Sequence, residues 1–194
     1  IWDIGGVIMP TEDQAPRAEL ADELGVNRAY LNELVFDGEH GTRAQKGEIN
    51  RQELWDYVRS ELKLAPGEHS DLDERFFGGD VLDTDLVDFI RSLKPRFKIG
   101  IISNAWSQIE EALVEWGIND AFEMVVGSGD VGIMKPEPRI FQIALERLGV
   151  EPSEAVFVDD FIQNVRGAQE LGIAAIHFQG REQVIRELEQ LLDM

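Results

Sequence analysis

From residue 81 onward, short apolar runs alternate with stretches in which apolar positions recur every three or four residues. The runs at 98–103, 124–127, 155–158 and 174–177 have the length of buried strands. The periodic stretches at 83–93, 107–116, 138–148, 162–171 and 181–192 predict helices with one apolar face. Such alternation predicts a parallel sheet covered by helices on both sides. Between residues 13 and 80 the strand signal almost disappears, and helices are predicted over 16–24, 27–35, 50–62 and, more weakly, 69–77. Asn27 and Asn50 stand where N-caps belong, and Gly25 follows a helix end. The predicted class is α/β: a three-layer α/β/α, Rossmann-like core with a parallel sheet, interrupted just after its first strand by a small all-helical block. Turns near Gly5 and Gly78 are natural hinges.

Composition narrows the partners. A chain of 194 residues, 43% hydrophobic, is long enough for one globular domain plus an insertion. Its 38 acidic residues against 18 basic ones give a net charge of -20, which argues against nucleic acid or an anionic membrane as a partner. An anionic substrate would need a local cation. The absence of cysteine excludes disulfides and thiol catalysis and fits a reducing cytoplasm. No apolar run approaches the roughly 18 residues of a membrane span, and no signal peptide is visible, although the chain opens inside a strand-like segment. The expected location is the cytoplasm; the residues give no oligomeric state.

Charge gathers at the predicted strand ends. Asp159 and Asp160 follow the run 155–158, with Asn164, Gly167, Ala168 and Gly172 at helical spacing behind them. Open α/β sheets bind ligands at this carboxyl edge, and paired carboxylates there suit a cation. The same pair also suits an acidic helix cap. Asp3, Ser103 with Asn104, and Lys135 each follow or lie near an apolar segment as well, so four sites can converge on one cleft. Taken singly, each has an ordinary structural use as a cap, a turn or a solvated loop residue.

In order along the chain stand Ile1-Trp2-Asp3-Ile4-Gly5-Gly6-Val7-Ile8, Ile102-Ser103-Asn104, Lys135-Pro136-Glu137-Pro138 leading into Phe141, and Val158-Asp159-Asp160 with Asn164. These four motifs resemble those of the haloacid dehalogenase (HAD) superfamily of hydrolases, in a subgroup that begins Asp-x-Gly-Gly and carries a helical C1-type cap after the first strand. The resemblance spans nearly the whole chain, the cap being similar only in its helix pattern. It implies a core of residues 1–12 and 81–194 and a cap of residues 13–80. It further implies a small phosphorylated substrate and an aspartyl-phosphate formed on Asp3 as nucleophile. Mg²⁺ would be held by Asp3, a backbone carbonyl at Gly5 and Asp160, with Asp159 acting through water. Lys135 would balance Asp3 and bind the transferring phosphoryl group, while Ser103, Asn104 and backbone N–H groups such as that of Gly6 would hold its oxygens.

One departure matters. Most phosphatases of this kind carry a second Asp two positions after the nucleophile, which protonates the leaving oxygen; here that position is Gly5. Such proton transfer contributes about 10²–10⁴-fold in rate. A sugar 1-phosphate leaves as a less basic oxygen and needs less acid help, so this class is the favoured substrate. Two other readings stay open: a metal-independent 2-haloacid dehalogenase, and a catalytically weak binding or regulatory protein that keeps the fold.

Residues 37–47, read as a connector between cap helices, are expected to reach the nucleophile. His40 and Arg43, with Glu48 just beyond, are its candidates, Arg43 for a phosphate or sugar hydroxyl and His40 or Glu48 as replacement acids. Trp55, Tyr57, Phe76 and Phe77 read as core aromatics. Trp106 can meet either a ligand or the cap. His177 has no metal-spaced partner and is expected to be structural.

Overall fold

Among residues 1–192, the part of the chain described by the computed structural model, five parallel extended segments form one sheet. Strand β1 (Gly100–Ser103) pairs with β2 (Met124–Gly127), and β3 (Val156–Asp159) pairs with β4 (Ala174–His177). Residues 1–3 join the two pairs. Trp2 bridges Ile101 on one side and Val158 on the other, and the Asp3 N–H donates to the Val158 carbonyl at 2.9 Å. The order across the sheet is β2, β1, residues 1–3, β3, β4, so the winding reverses between residues 1–3 and β3. That reversal is where an open α/β sheet leaves a crevice at its carboxyl edge. Because Trp2 is level with Val158, Asp3 is level with Asp159. A slip of one residue would send either side chain to the other face.

Successive strand residues face opposite layers. Trp2, Ile101 and Val158 pack with residues of the helices Thr84–Leu93, Ile109–Glu115 and Arg181–Leu191. Ile102, Val126 and Phe157 pack instead with the helices Pro138–Leu148 and Ile162–Glu170. The three layers are as predicted, and each of these helices lies within two residues of its predicted bounds. Strand β3 runs one residue further than its apolar run and takes in Asp159, which fixes that carboxylate by strand geometry.

The segment between the first strand and residue 81 is helical. It holds the helices Ala15–Glu23, Arg28–Asn32, Glu39–Gln45, Arg51–Glu61 and Leu72–Phe76, with a π-helical turn at Glu33–Asp37. Asn27 caps by accepting from the Tyr30 N–H at 2.7 Å, and Asn50 forms a reciprocal capping box with Glu53. Residues 37–47 are not the connector that was predicted, because most of them form the helix Glu39–Gln45. Its sequence, with Gly41 in its middle, carries no apolar period. What holds it is packing, with Gly41 against the backbone of Val35 and Phe36.

This helical segment has its own apolar cluster, built on Leu31, Val35, Leu54, Trp55, Val58, Leu72 and Phe76. Trp106, from the loop after β1, packs against the cluster with its ring 5.7 Å from Phe77 and 6.4 Å from Trp55. The crossings to and from the segment run antiparallel: the Glu12 N–H donates to the Gly79 carbonyl and the Val81 N–H to that of Pro10. Asp80 ties them, accepting from Thr11 Oγ1 at 2.6 Å and pairing with the buried Arg17 at 3.3 Å. A second attachment lies at Ser128, fully buried, whose Oγ donates to the Gln45 carbonyl at 2.6 Å and accepts from the Ala105 N–H at 3.0 Å. Beside it Gly47 and Gly129 cross so closely that a Cβ on Gly47 would overlap the Gly129 carbonyl. No helix among the described residues is long and apolar enough to cross a membrane.

Gly47 also has φ near +69°, so an added methyl meets both strain and rigid backbone. Gly47→Ala is expected to destabilise the protein by about 2 kcal/mol or more, read as a lower urea midpoint with an unchanged slope.

Candidate active site

Strand ends bring Asp3, Asp159 and Asp160 together at the winding reversal, and the loop of residues 132–137 adds Lys135. Lys135 Nζ lies 2.8 Å from Asp3 Oδ1 and 2.6 Å from Asp159 Oδ2, and all three side chains are buried. One carboxylate oxygen from each of Asp3, Asp159 and Asp160 falls within 4.8 Å of the others. Three carboxylates, two of them buried and Asp160 partly exposed, against one lysine leave an excess of negative charge in a site with little access to bulk water. Isolated charges in such a place are costly, so the cluster needs donors or a cation.

Asp159 has its donors. Oδ1 accepts from the Phe161 N–H at 2.8 Å and from Asn164 Nδ2 at 3.0 Å, while Oδ2 takes Lys135 and a second contact from Asn164 at 3.1 Å. Asp3 Oδ1 accepts from the Ile4 N–H at 2.7 Å as well as from Lys135, whereas no donor among the described residues is assigned to Oδ2. Asp160 Oδ1 is buried and has no partner. A satisfied oxygen gains little from a cation and an orphaned one gains much, which makes Asp160 Oδ1 a candidate ligand for an ion. Burial, then the charges of Asp3 and Asp159, push Asp160 up to about 7. Burial pushes Asp3 up to about 6 despite the lowering effect of Lys135.

The turn that follows the nucleophile candidate explains Gly6 but not Gly5. The Ile4 carbonyl accepts from the N–H groups of Val7 and Met9, and the Gly6 N–H donates to the Met9 carbonyl at 3.1 Å. Gly6 was expected to offer its N–H to a phosphate; that N–H is committed to Met9 instead. Gly6 is needed for space: φ is +77°, and a Cβ there would overlap the Asp160 carboxylate. The Gly5 carbonyl enters neither bond that closes the turn. A Cβ on Gly5 would meet nothing within 4 Å.

Ser103 is buried at the end of β1, one residue beyond the level of Asp3, and its hydroxyl enters none of the hydrogen bonds among the described residues. Asn104 was expected to face the substrate, but its side chain holds the backbone of Lys135. His40 and Arg43 are engaged inside the helical segment rather than in the carboxylate cluster. His40 stacks on Tyr57 at 3.6 Å between ring centres, and Arg43 pairs with Glu48 at 3.3 Å. Two residues escaped the motif reading. Ser128 carried one signal, its place directly after the run 124–127. His177, expected to be structural, has Nε2 2.9 Å from the Asp160 carbonyl, which ties the end of β4 to the loop that bears the carboxylate. An apolar cavity of about 310 Å³, lined by Leu93, Phe97, Leu148 and Leu188 among others, opens near Ile1 and lacks these groups.

Comparison with known proteins agrees with the fold. The family described as haloacid dehalogenase-like hydrolase matches residues 1–172. Acyl-CoA dehydrogenase family member 10 of Mus musculus is 49% identical over 71 residues, 37% of this chain and 7% of that protein. The glyceraldehyde 3-phosphate phosphatase of Methanopyrus kandleri is 39% identical over 82 residues, 41% of this chain and 35% of that one. The matched part is thus well under half the length of either relative. A crystal structure of a HAD family enzyme from Bacteroides thetaiotaomicron, in complex with magnesium and inorganic phosphate, superposes with a TM-score of 0.75 at 26% identity, covering 90% of both chains.

Raised carboxylates carry a pH signature. In chelator, the folded protein keeps protons on Asp3 and Asp160 at pH values where the unfolded chain has lost them. Their contribution to stability therefore falls as pH rises from about 4 through about 7. Asp160→Asn is expected to flatten this fall, and Mg²⁺, which competes with protons, to raise the denaturation midpoint more at pH 8 than at pH 5. Urea midpoints with EDTA and with Mg²⁺ across this range measure both; a wild-type slope that Asp160→Asn leaves unchanged contradicts the assignment.

Proposed function

The chain belongs to the haloacid dehalogenase-like hydrolases, and on that footing we propose that it is a Mg²⁺-dependent phosphatase of small molecules acting through an aspartyl-phosphate on Asp3. The observation that carries the reading is the orphaned, buried Oδ1 of Asp160 next to Asp3 and Lys135. A metal-independent dehalogenase has no use for a third carboxylate whose buried oxygen lacks a partner. The donor set, hard oxygens only, suits Mg²⁺. Asp3, Asp160 and the Gly5 carbonyl would hold the ion, with Asp159 in the next shell because its oxygens are already taken. When bound, it neutralises the carboxylates and the charge that develops on the phosphoryl oxygens.

The chain's own groups supply the remaining chemistry. Oδ1 of Asp3 is fixed by the Ile4 N–H and Lys135, which leaves Oδ2 to attack phosphorus while the bond to the leaving oxygen breaks. Lys135 would draw negative charge toward the transferring group, and the buried, unbonded Ser103 hydroxyl would hold one of its oxygens. Water then cleaves the aspartyl-phosphate. No carboxylate stands two positions beyond Asp3 to protonate the leaving group, so the best substrates carry acidic leaving oxygens, with sugar 1-phosphates the favoured class. On this reading residues 13–80 form a cap over the core of residues 1–12 and 81–194, tied to it where the Gln45 carbonyl, at the end of the helix Glu39–Gln45, accepts from Ser128 Oγ.

A panel of phosphate esters with and without Mg²⁺ tests this. Asp3→Asn is expected to lower kcat by about 10⁴-fold or more. Gly5→Asp has room for its side chain and is expected to raise kcat for alkyl phosphates by roughly 10- to 100-fold, with little gain for sugar 1-phosphates. Turnover of a 2-haloacid in chelator supports the dehalogenase, and no turnover of any ester by the folded, Mg²⁺-loaded protein supports a binding role.

A further inference from the structure

Lys135 lies in residues 132–137, which have neither strand nor helix to hold their backbone. Its side chain must nevertheless reach a buried point between two carboxylates. Buried N–H and C=O groups need partners, and at Lys135 a single side chain supplies both. Asn104 Oδ1 accepts the Lys135 N–H at 2.7 Å, and Asn104 Nδ2 donates to the Lys135 carbonyl at 3.0 Å. Asn104 is itself fixed on both flanks. Ser103 before it is paired with Gly127 in the sheet. Ala105 after it donates its N–H to Ser128 Oγ at 3.0 Å and accepts the Gly129 N–H at 3.0 Å. The asparagine thus offers a rigid donor and acceptor, side by side, to a stretch of chain that has no other regular support.

We propose that Asn104 is a positioning residue: it sets the Lys135 backbone at the height from which Nζ reaches Asp3 and Asp159 together, and it acts on the substrate only through that lysine. Of the near relatives of asparagine, aspartate keeps the acceptor but loses the donor, and alanine keeps neither. A displacement on the order of 1 Å at a reacting group costs about 10²-fold in rate. The kinetic arm of the test rests on the phosphatase reading; the tie itself is a property of the free protein.

The first measurement is amide hydrogen exchange at the Lys135 N–H in the full chain without metal. Wild type is expected to be protected, Asn104→Ala to exchange at least about 10-fold faster, and Asn104→Asp to stay close to wild type because the acceptor remains. The second is a double-mutant cycle on an aryl and an alkyl phosphate with Mg²⁺. Asn104→Ala is expected to lower kcat by about 10²-fold for both esters, with KM changed less than about 3-fold. Beside Lys135→Ala, the same substitution is expected to cost less than about 3-fold further. An asparagine that touches substrate directly would keep its full effect there, and additive losses overturn the proposal. Unchanged exchange in Asn104→Ala overturns it as well. If Asn104→Ala does not fold, Asn104→Asp carries the cycle, with a smaller loss that must again vanish beside Lys135→Ala. If wild type cleaves no ester, the phosphatase reading falls, and the exchange result still decides whether Asn104 holds Lys135.

Discussion

The rest of the site follows from one buried ionic chain, Asp3–Lys135–Asp159, laid across the reversal of the sheet. Charges removed from water are tolerated only when each is paired and hydrogen-bonded. Strand ends deliver the two aspartates at the same level, Asn164 and the Phe161 N–H complete Asp159, and the Ile4 N–H helps Asp3. Asp160 is brought to the same place, and Gly6 has no side chain to keep it away, yet no donor reaches its buried Oδ1. Among the described residues, Asp160 Oδ1 and Asp3 Oδ2 are the oxygens of the cluster left without a donor. That remainder gives the candidate cation site its physical basis in a chain of net charge -20.

Glycines mark the places where segments must touch. Asp160 approaches the turn after Asp3 only because Gly6 lacks a Cβ, and the helical segment reaches the loop after β2 only where Gly47 meets Gly129. The second contact is reinforced by Ser128, a single hydroxyl that binds the carbonyl of Gln45 and the backbone of Ala105. Through Ala105 the seat of the helical segment adjoins Asn104, and through Asn104 it adjoins Lys135. Gly5 is different: its surroundings leave room for a side chain, so packing does not account for the missing acid there.

Much of this architecture is legible in the amino-acid order. Short apolar runs and period-3.6 patterns mark the strands and helices to within a few residues, because burial on both faces of a strand or one face of a helix follows its geometry. Asn27 and Asn50 announce their helices, since a cap is a local hydrogen bond. The motifs announce Asp3 and Asp160 by their places at strand ends, and Lys135 by the Lys-Pro that precedes the helix Pro138–Leu148. The helix Glu39–Gln45 stayed hidden because its support comes from the backbone of Val35 and Phe36 and from Ser128, far away in sequence, and not from an apolar period of its own.

Side-chain partners were decided by the tertiary structure alone. Asn104 reads as a strand-end polar residue facing a ligand, yet its amide is taken by Lys135, 31 residues on. The Gly6 N–H reads as a phosphate donor and is taken by Met9. His40 and Arg43 read as cleft residues and are taken by Tyr57 and Glu48. Local sequence determines which elements form and which residues stand at their ends, because propensity, capping and burial period act over a few residues. It does not determine whether a polar group remains free, because that depends on which distant donor or acceptor the packed chain brings within about 3 Å.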